Sequence, residues 1–392
     1  MSAKQLVIVG GGFAGLAALS RSAGRGLDIT LIEPHEGTTM IPALPDVTGG
    51  FLAPGALHTS LKDVLPARAR HLKAAALRVD VGARVVETTA GAVPYDYLLL
   101  SSGSRTAPAA APPQPYMHYL DRLADGRRLY DAWRARLAAP AARVARAVII
   151  GGGYTGLEVA RNLAAAATRA DRAAEVTVIE IASEFLGFLP PARRAWVLAQ
   201  LEGAGVRLLS ATKVQAYEPE GVALSSGVTL VDPLCVVCTG SRSALPEVPA
   251  DWPRLSDGRL CVEPTLQVPG APTVFAAGDA AAFPDGHGGY LRKAVNFAFY
   301  GGRCAGRNIV RHARAKPLRP FRPFDLGWVI PLHDRAVGQM LGRFWIQGGL
   351  PMRLHYFMCG YRKQGAPRRA LFSRVFKLPD ATGARQTKEN QQ

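Results

Sequence analysis

The chain runs to 392 residues, room for two or three domains, since a single hydrophobic core usually stops growing well below that length. With 48% hydrophobic and 20% charged residues it has the composition of an ordered globular protein, which excludes wholesale disorder. Its formal charge of +17 is unevenly spread: residues 303–392 hold 18 Lys or Arg against 4 acids, a surplus of 14, so the body is nearly neutral and the tail strongly basic.

Met1 to Lys4 leads straight into the apolar run Leu6-Val7-Ile8-Val9, leaving no room for a signal peptide, so a cytoplasmic body is expected. Five cysteines (Cys235, Cys238, Cys261, Cys304, Cys359) form an odd, scattered set and are expected as reduced thiols, not a disulfide framework. No apolar run reaches the roughly 18 residues that a membrane-crossing helix needs.

In chain order, a first βαβ unit is expected: a strand near Leu6 to Val9, a Gly-rich turn, a helix near Phe13 to Ser22 and a strand near Leu27 to Ile32. Pro94 to Leu100 reads as a buried strand ending in the small residues Ser101-Ser102-Gly103, and the Ala/Pro-rich run from Ala107 to Pro115 as a linker. A second unit repeats the first: a strand near Ala147 to Ile150, a Gly-rich turn, a helix near Tyr154 to Ala167 and a strand near Val176 to Ile179. Asp232 to Gly240 mirrors the strand-to-glycine ending. A last buried strand, Thr273 to Ala277, ends in Gly278-Asp279 and precedes a helical stretch around Val295 to Ile309. Two copies about 140 residues apart imply two nucleotide-binding domains.

Gly10-Gly11-Gly12-Phe13-Ala14-Gly15 sits between strand and helix, with Glu33 closing the next strand 23 residues on. Glycines there let backbone approach a pyrophosphate at the helix N-terminus, where free N–H groups and the dipole favour anions. Glu33 is placed to accept hydrogen bonds from ribose hydroxyls. Gly151-Gly152-Gly153-Tyr154-Thr155-Gly156 repeats the pattern with Glu180, and an acid at that place favours NADH, with its free 2′-hydroxyl, over NADPH.

The order of these motifs, with Tyr95-Asp96-Tyr97, Ser102-Gly103, Glu158 and Val274-Phe275-Ala276-Ala277-Gly278-Asp279, resembles the two-dinucleotide-binding flavoprotein superfamily that includes pyridine nucleotide-disulfide oxidoreductases. The resemblance covers about Gln5 to Ile309. It implies FAD at Gly10, Gly12, Gly15, Glu33, Gly103, Gly278 and Asp279, and a nicotinamide dinucleotide at Gly151, Gly153, Gly156, Glu180 and Gly240. It likens Glu158 to a family glutamate near the nicotinamide and flavin; the plain alternative is a carboxylate on a helix surface. The implied fold class is α/β, two Rossmann-like, three-layer dinucleotide-binding domains plus a C-terminal α-rich amphipathic segment. The expected boundaries are 1–110 and 256–320 for the FAD-binding domain, 111–255 for the NADH-binding domain and 321–392 for the tail.

Disulfide reductases of this superfamily carry a cysteine pair after the first ribose-binding acid, and Met40 to Leu65 holds no cysteine, so flavin-to-disulfide transfer is excluded. Cys235 and Cys238 fall on an expected strand, where positions three apart face opposite ways, so they read as structural filler. The segment Arg292 to Ile309 resembles the flavin-covering helix of type II NADH dehydrogenases, which pass two electrons from NADH through FAD to a quinone without pumping protons. Lys293 stands where sulfide:quinone-type relatives carry lysine, and near the flavin pyrimidine its charge would stabilise the reduced anion; the plain alternative is a surface lysine. Asn296 stands where type II NADH dehydrogenases have a glutamine on the quinone side.

The tail shows apolar residues at three- and four-residue spacing: Val337, Met340, Leu341, Phe344 and Trp345, then Leu350, Leu354, Phe357, Met358 and Tyr361. Two helices too short to cross a bilayer are expected to lie in its surface, with Arg353, Arg362, Lys363, Arg368 and Arg369 at anionic head groups. On this reading a cut after Pro331 spares both nucleotide-binding domains, and the protein is peripheral to the inner face of the cell membrane. A homodimer formed through the tail is the competing use of the same residues. No nucleic-acid module is present, so nucleic acid is not expected as a partner. Electron transfer to a soluble carrier, and a redox-sensing or scaffold flavoprotein with little turnover, are the rival functions.

Overall fold

The computed structural model describes residues 3–109, 114, 116–140, 143–361, 372 and 375. Among them run the α-helices α1 (Phe13–Ser22), α2 (Leu44–Thr48), α3 (Leu123–Ala138), α4 (Tyr154–Arg169), α5 (Pro191–Glu202), α6 (Val295–Ala313) and α7 (Gly349–Tyr361). The chain divides into two compact units. Unit 1 comprises Met1–Thr39, Thr59–Arg105 and Ser241–Leu326; unit 2 comprises Met40–His58, Thr106–Gly240 and Gly327–Gln392.

Unit 1 is built on a six-stranded sheet in the order Gln267–Val268, Ala271–Ala276, Tyr97–Leu100, Lys4–Val9, Leu27–Ile32, Ala69–Leu72. All neighbours are parallel except the first pair. Strands buried on both faces read as unbroken apolar runs, and Leu6, Ile8, Leu98, Leu99, Leu100 and Phe275 all reach 0% exposure. α6 lies directly on the backbone of α1. A Cβ added to Gly302 would stand 2.1 Å from the Ala14 carbonyl oxygen, and one on Gly306 2.4 Å from that of Ala18. Two glycines one turn apart thus set the spacing of the helix pair.

Unit 2 repeats the layout with a five-stranded parallel sheet, Met117–His118, Leu234–Val237, Ala145–Ile150, Ala174–Ile179, Val206–Leu209. An antiparallel ribbon of Val214–Glu218, Gly221–Leu224 and Thr229–Val231 follows. The two Rossmann-like α/β halves therefore stand as the sequence implies.

The tail departs from the helical expectation. Residues 327–348 form a three-stranded antiparallel sheet, Gly327–Leu332, Arg335–Met340 and Phe344–Gly348. Val337 and Met340 belong to one strand and Phe344 and Trp345 to the next, because Leu341 (φ 50°) and Gly342 (φ 72°) turn the chain between them. Close pairing settles the choice: a Cβ on Gly338 would lie 2.3 Å from the Trp328 carbonyl oxygen across the sheet. The second stretch is helical, as α7, but Met352 and Tyr356 are the residues at 0% exposure, while Leu350 and Phe357 are exposed. Arg362, Lys363, Arg368 and Arg369 lie outside the described residues.

This C-terminal part is packed into unit 2. Ile330, Leu332, Ala336 and Val337 are 0–1% exposed, His333 Nδ1 sits 3.2 Å from Asn162 Oδ1 of α4, and Arg161 of α4 pairs with Asp334 at 3.6 Å. A cut after Pro331 passes through a strand of this sheet. Ending the chain at Leu326 should therefore abolish cooperative melting of unit 2, since several fully buried side chains, each costing about 2–5 kcal/mol to remove, go together. Calorimetry of the truncated protein checks this, and an unchanged melting profile would show the segment to be a separable appendage.

Candidate functional site

Gly10 leaves the strand Lys4–Val9 with φ +99°, and its amide donates to the Ile32 carbonyl at 2.9 Å. A Cβ there would sit 2.4 Å from the Ser101 carbonyl oxygen, and one on Gly15 only 2.0 Å from that of Gly10, so α1 starts as close to the strand end as backbone atoms allow. Gly12, the N-cap of α1, is different: an added Cβ meets nothing within 4 Å. Open space in front of uncapped first-turn amides is the setting for a pyrophosphate. Beside it Glu33 Oε2 accepts from the Gly11 amide at 2.9 Å, and Oε1 accepts from the His35 amide at 3.1 Å and faces His35 Nδ1 at 2.6 Å.

Unit 2 copies this geometry. Gly151 has φ +106°, its amide donates to the Ile179 carbonyl at 2.8 Å, and its Cβ would meet the Cys238 carbonyl oxygen at 2.3 Å. A Cβ on Gly156 would lie 2.0 Å from the Gly151 carbonyl oxygen, while Gly153 faces open space. Glu180 Oε2 accepts from the Gly152 amide at 2.8 Å and Oε1 from the Ala182 amide at 2.9 Å. Gly103 and Gly240 take matching places after the strands Tyr97–Leu100 and Leu234–Val237, with φ of +75° and +87°. One difference is that the Phe185 ring stands 2.4 Å from where a Gly152 side chain would begin.

In unit 1, Gly278 (φ +72°) and Asp279 form a short turn ahead of α6, and Asp279 Oδ2 accepts from Ser104 Oγ at 2.8 Å. Asp279 and Lys293 line one small cleft together with Arg259, Phe283 and Phe297. Lys293 Nζ donates to the Ser241 carbonyl at 2.6 Å and to Ser241 Oγ at 3.1 Å, and pairs with Asp257 at 3.2 Å. Burial works to raise the Asp257 carboxyl, but the Arg259 amide and the Lys293 ammonium outweigh it and hold it below its ordinary value. Asn296 opens α6 and donates from Nδ2 to the Phe324 carbonyl at 2.6 Å.

Glu158 belongs to unit 2, so it does not share a unit with Lys293 and Asn296. Nor is it a surface carboxylate: it is 5% exposed, and burial first, then the neighbouring Asp46, hold its carboxyl well above the ordinary range. Burial pushes the Cys235 and Cys238 thiols up to about 12, far from the thiolate form at neutral pH. Among the described residues no group of three or more His, Cys, Asp or Glu could hold a metal ion. Sequence reasoning missed Asp46, Tyr356 and Asn162, which meet around Glu158. The one available signal was a lone acid inside the apolar run Leu44-Pro45-Asp46-Val47.

The residues of both fingerprints fit flat, phosphate-bearing dinucleotides, because the glycine contacts leave space only at the helix N-termini. A family model described as pyridine nucleotide-disulphide oxidoreductase matches residues 4–300. An NADH dehydrogenase-like protein of Mycobacterium tuberculosis is 31% identical over 84% of this chain and 85% of its own. A type II NADH:quinone oxidoreductase of Haemophilus influenzae is 24% identical over 87% and 88%. The structure of NDH2 from Plasmodium falciparum in complex with NADH covers 96% of this chain and 98% of its own with a TM-score of 0.82, a likeness of fold at 13% identity. With the family model spanning most of the chain and the fingerprint duplicated in both units, the chain belongs to the pyridine nucleotide-disulphide oxidoreductase family, and it is an oxidoreductase that works with FAD and a nicotinamide dinucleotide.

Proposed function

We propose that this oxidoreductase transfers electrons from NADH through FAD to a quinone, without pumping protons; one relative is named as an NADH dehydrogenase-like protein and another as an NADH:quinone oxidoreductase. The observation that carries the reading is the duplication itself: two complete glycine cradles, each with a carboxylate at the end of the following strand. Bound FAD would supply the two-electron relay between nicotinamide and acceptor. In unit 1, Gly10, Gly12 and Gly15 receive its pyrophosphate, Glu33 its ribose, and Gly103, Gly278 and Asp279 the rest of the chain toward the ring. In unit 2, Gly151, Gly153, Gly156, Glu180 and Gly240 take NADH. Lys293 is a cation fixed by Asp257 and Ser241 beside Asp279, suited to a developing negative charge. Asn296 belongs to the acceptor side, and Glu158 to the nicotinamide side.

The protein should purify yellow with one FAD per chain. Gly15→Ala should lose most of it, since the added methyl meets a backbone oxygen at 2.0 Å. Flavin released on denaturation and read by absorbance decides, and a colourless wild-type protein that takes up no added FAD would sink the reading.

NADH should reduce the flavin faster than NADPH, because the Glu180 carboxylate repels a 2′-phosphate, and Glu180→Ala should narrow the gap. Stopped-flow bleaching measures both rates; equal rates in the wild type would remove Glu180 as the discriminating group. Quinone and ferricyanide analogues tried in turn then identify the acceptor.

The quinone reading places the protein at a membrane surface. Exposed Leu341, Phe344, Leu350 and Phe357 and the basic surplus of the last ninety residues support that placement. Among the described residues no helix is long and apolar enough to cross a membrane. Charge attraction, about 1 kcal/mol per basic residue near an anionic surface, weakens with salt, whereas aromatic insertion does not. Phe344→Ser with Phe357→Ser should cut the salt-resistant part of vesicle binding and long-chain quinone reduction while ferricyanide turnover persists. A full-length protein that ignores anionic vesicles would favour a soluble carrier as acceptor.

A further inference from the structure

The C-terminal strand Gly327–Leu332 and the turn after it hold α4 at two places within unit 2. Two turns into the helix, Arg161 and Asn162 meet Asp334 and His333. At its first residue, Tyr154, the helix meets Trp328, whose ring lies nearly parallel to the tyrosine ring, with 5.8 Å between centroids and 22° between planes. The strand therefore starts beside the helix N-terminus. Trp328 sits on a fixed backbone: it pairs with Gln339 in the sheet, and its carbonyl oxygen lies 2.3 Å from where a Gly338 side chain would begin. Two more rings complete the group. Phe188 stands 5.5 Å from Tyr154 and 5.8 Å from Trp328, and Trp345 meets Trp328 edge-on at 5.6 Å.

This group is not closed off as a core is. Tyr154, Trp328 and Trp345 are half-buried, and Phe188 is 58% exposed. It adjoins the second glycine cradle: Gly152 is covered by the Phe185 ring, Gly153 faces open space, and Tyr154 comes next in the chain. Glu180, at the end of the following strand, supplies the carboxylate on the Gly152 amide. A dinucleotide carries a flat ring at each end, and a partly exposed aromatic face is a surface on which such rings stack. A half-buried tyrosine in the first turn of a helix has more than one rotamer open to it, and a parallel ring beside it selects one.

We propose that Trp328 is a positioning residue for the nicotinamide dinucleotide: by stacking on Tyr154 it fixes the tyrosine ring beside Gly153, where that ring is a stacking face for the bound dinucleotide. Trp328 acts through the tyrosine and not on the dinucleotide itself. The C-terminal sheet then takes part in recognising NADH besides filling unit 2. This rests on the reading that unit 2 takes NADH.

Calorimetric titration of the full-length, FAD-loaded protein with NAD+, which binds without reducing the flavin, tests the proposal with no turnover. Trp328→Leu should weaken NAD+ binding about tenfold, and Trp328→Phe, which keeps a ring in place, should bring it back to within about threefold of the wild type. Tyr154→Leu should cost as much as Trp328→Leu, and the double variant no more than either, because the two rings act as one unit. FAD content, which belongs to unit 1, should stay at the wild-type level throughout. In stopped-flow bleaching, the NADH concentration for half the limiting rate should rise about tenfold in Trp328→Leu with little change in the limiting rate. Should Trp328→Leu not fold, Trp328→Met fills the place with a flexible side chain and carries the same expectation. Losses that add in the double variant overturn the proposal, as does a Trp328→Leu protein that binds NAD+ like the wild type while Glu180→Ala does not; the NADH site then stands without Trp328. A wild type that binds no NAD+ overturns the reading of unit 2 and the proposal with it.

Discussion

Both glycine cradles in this molecule hang on one backbone contact, made twice. The α-carbon of Gly15 rests against the carbonyl of Gly10, and that of Gly156 against the carbonyl of Gly151, so closely that a methyl group would lie 2.0 Å from oxygen in each case. This contact brings the helix N-terminus to the end of the strand and aims its first amides at one place. The strand end is held in turn: Gly10 and Gly151 donate to the last carbonyls of the neighbouring strands, Ile32 and Ile179. Glu33 and Glu180 begin right after those carbonyls, which is why each carboxylate lands on the amide of the middle glycine. Sheet register, helix start and strand-end carboxylate are therefore one linked arrangement.

That linkage explains how much was legible in the sequence. A glycine forced by a backbone contact leaves a mark at fixed spacing, and an apolar strand covered on both faces leaves an unbroken run, so both Rossmann-like units were readable. The return of Gly278-Asp279 was readable for the same reason. The C-terminal part was not. Val337, Met340, Leu341, Phe344 and Trp345 fit a helical spacing as a set, but the spacing straddles the turn at Leu341 and Gly342, and cross-strand partners decided the outcome. Periodicity cannot see pairing between strands until both are placed.

In the basic tail a second feature was out of reach of the sequence. Charge counts say where positive residues lie in the chain, not which apolar residues stand between them and solvent. In α7 the inward side chains are Met352 and Tyr356, and the outward ones include Leu350 and Phe357. The same short segment therefore serves two ends: it fills the core of unit 2 with one set of apolar side chains and presents another to the surroundings.

α4 gathers these threads. Its first turn faces the open space in front of Gly153, its Arg161 and Asn162 meet Asp334 and His333 of the C-terminal sheet, and its Glu158 lies beside Asp46. Polar groups are costly to bury, and a helix that buries several of them on one side keeps them only where each has been answered by another segment. Asn162 is answered by the Pro45 carbonyl and His333, and Asp46 Oδ2 by Tyr356. Glu158 Oε1 is not, and burial first, then Asp46, hold its carboxyl well above the ordinary range. The glycines at the start of this helix can be inferred from spacing alone. The surroundings of the glutamate a few residues later follow only from what the rest of the chain packs around it.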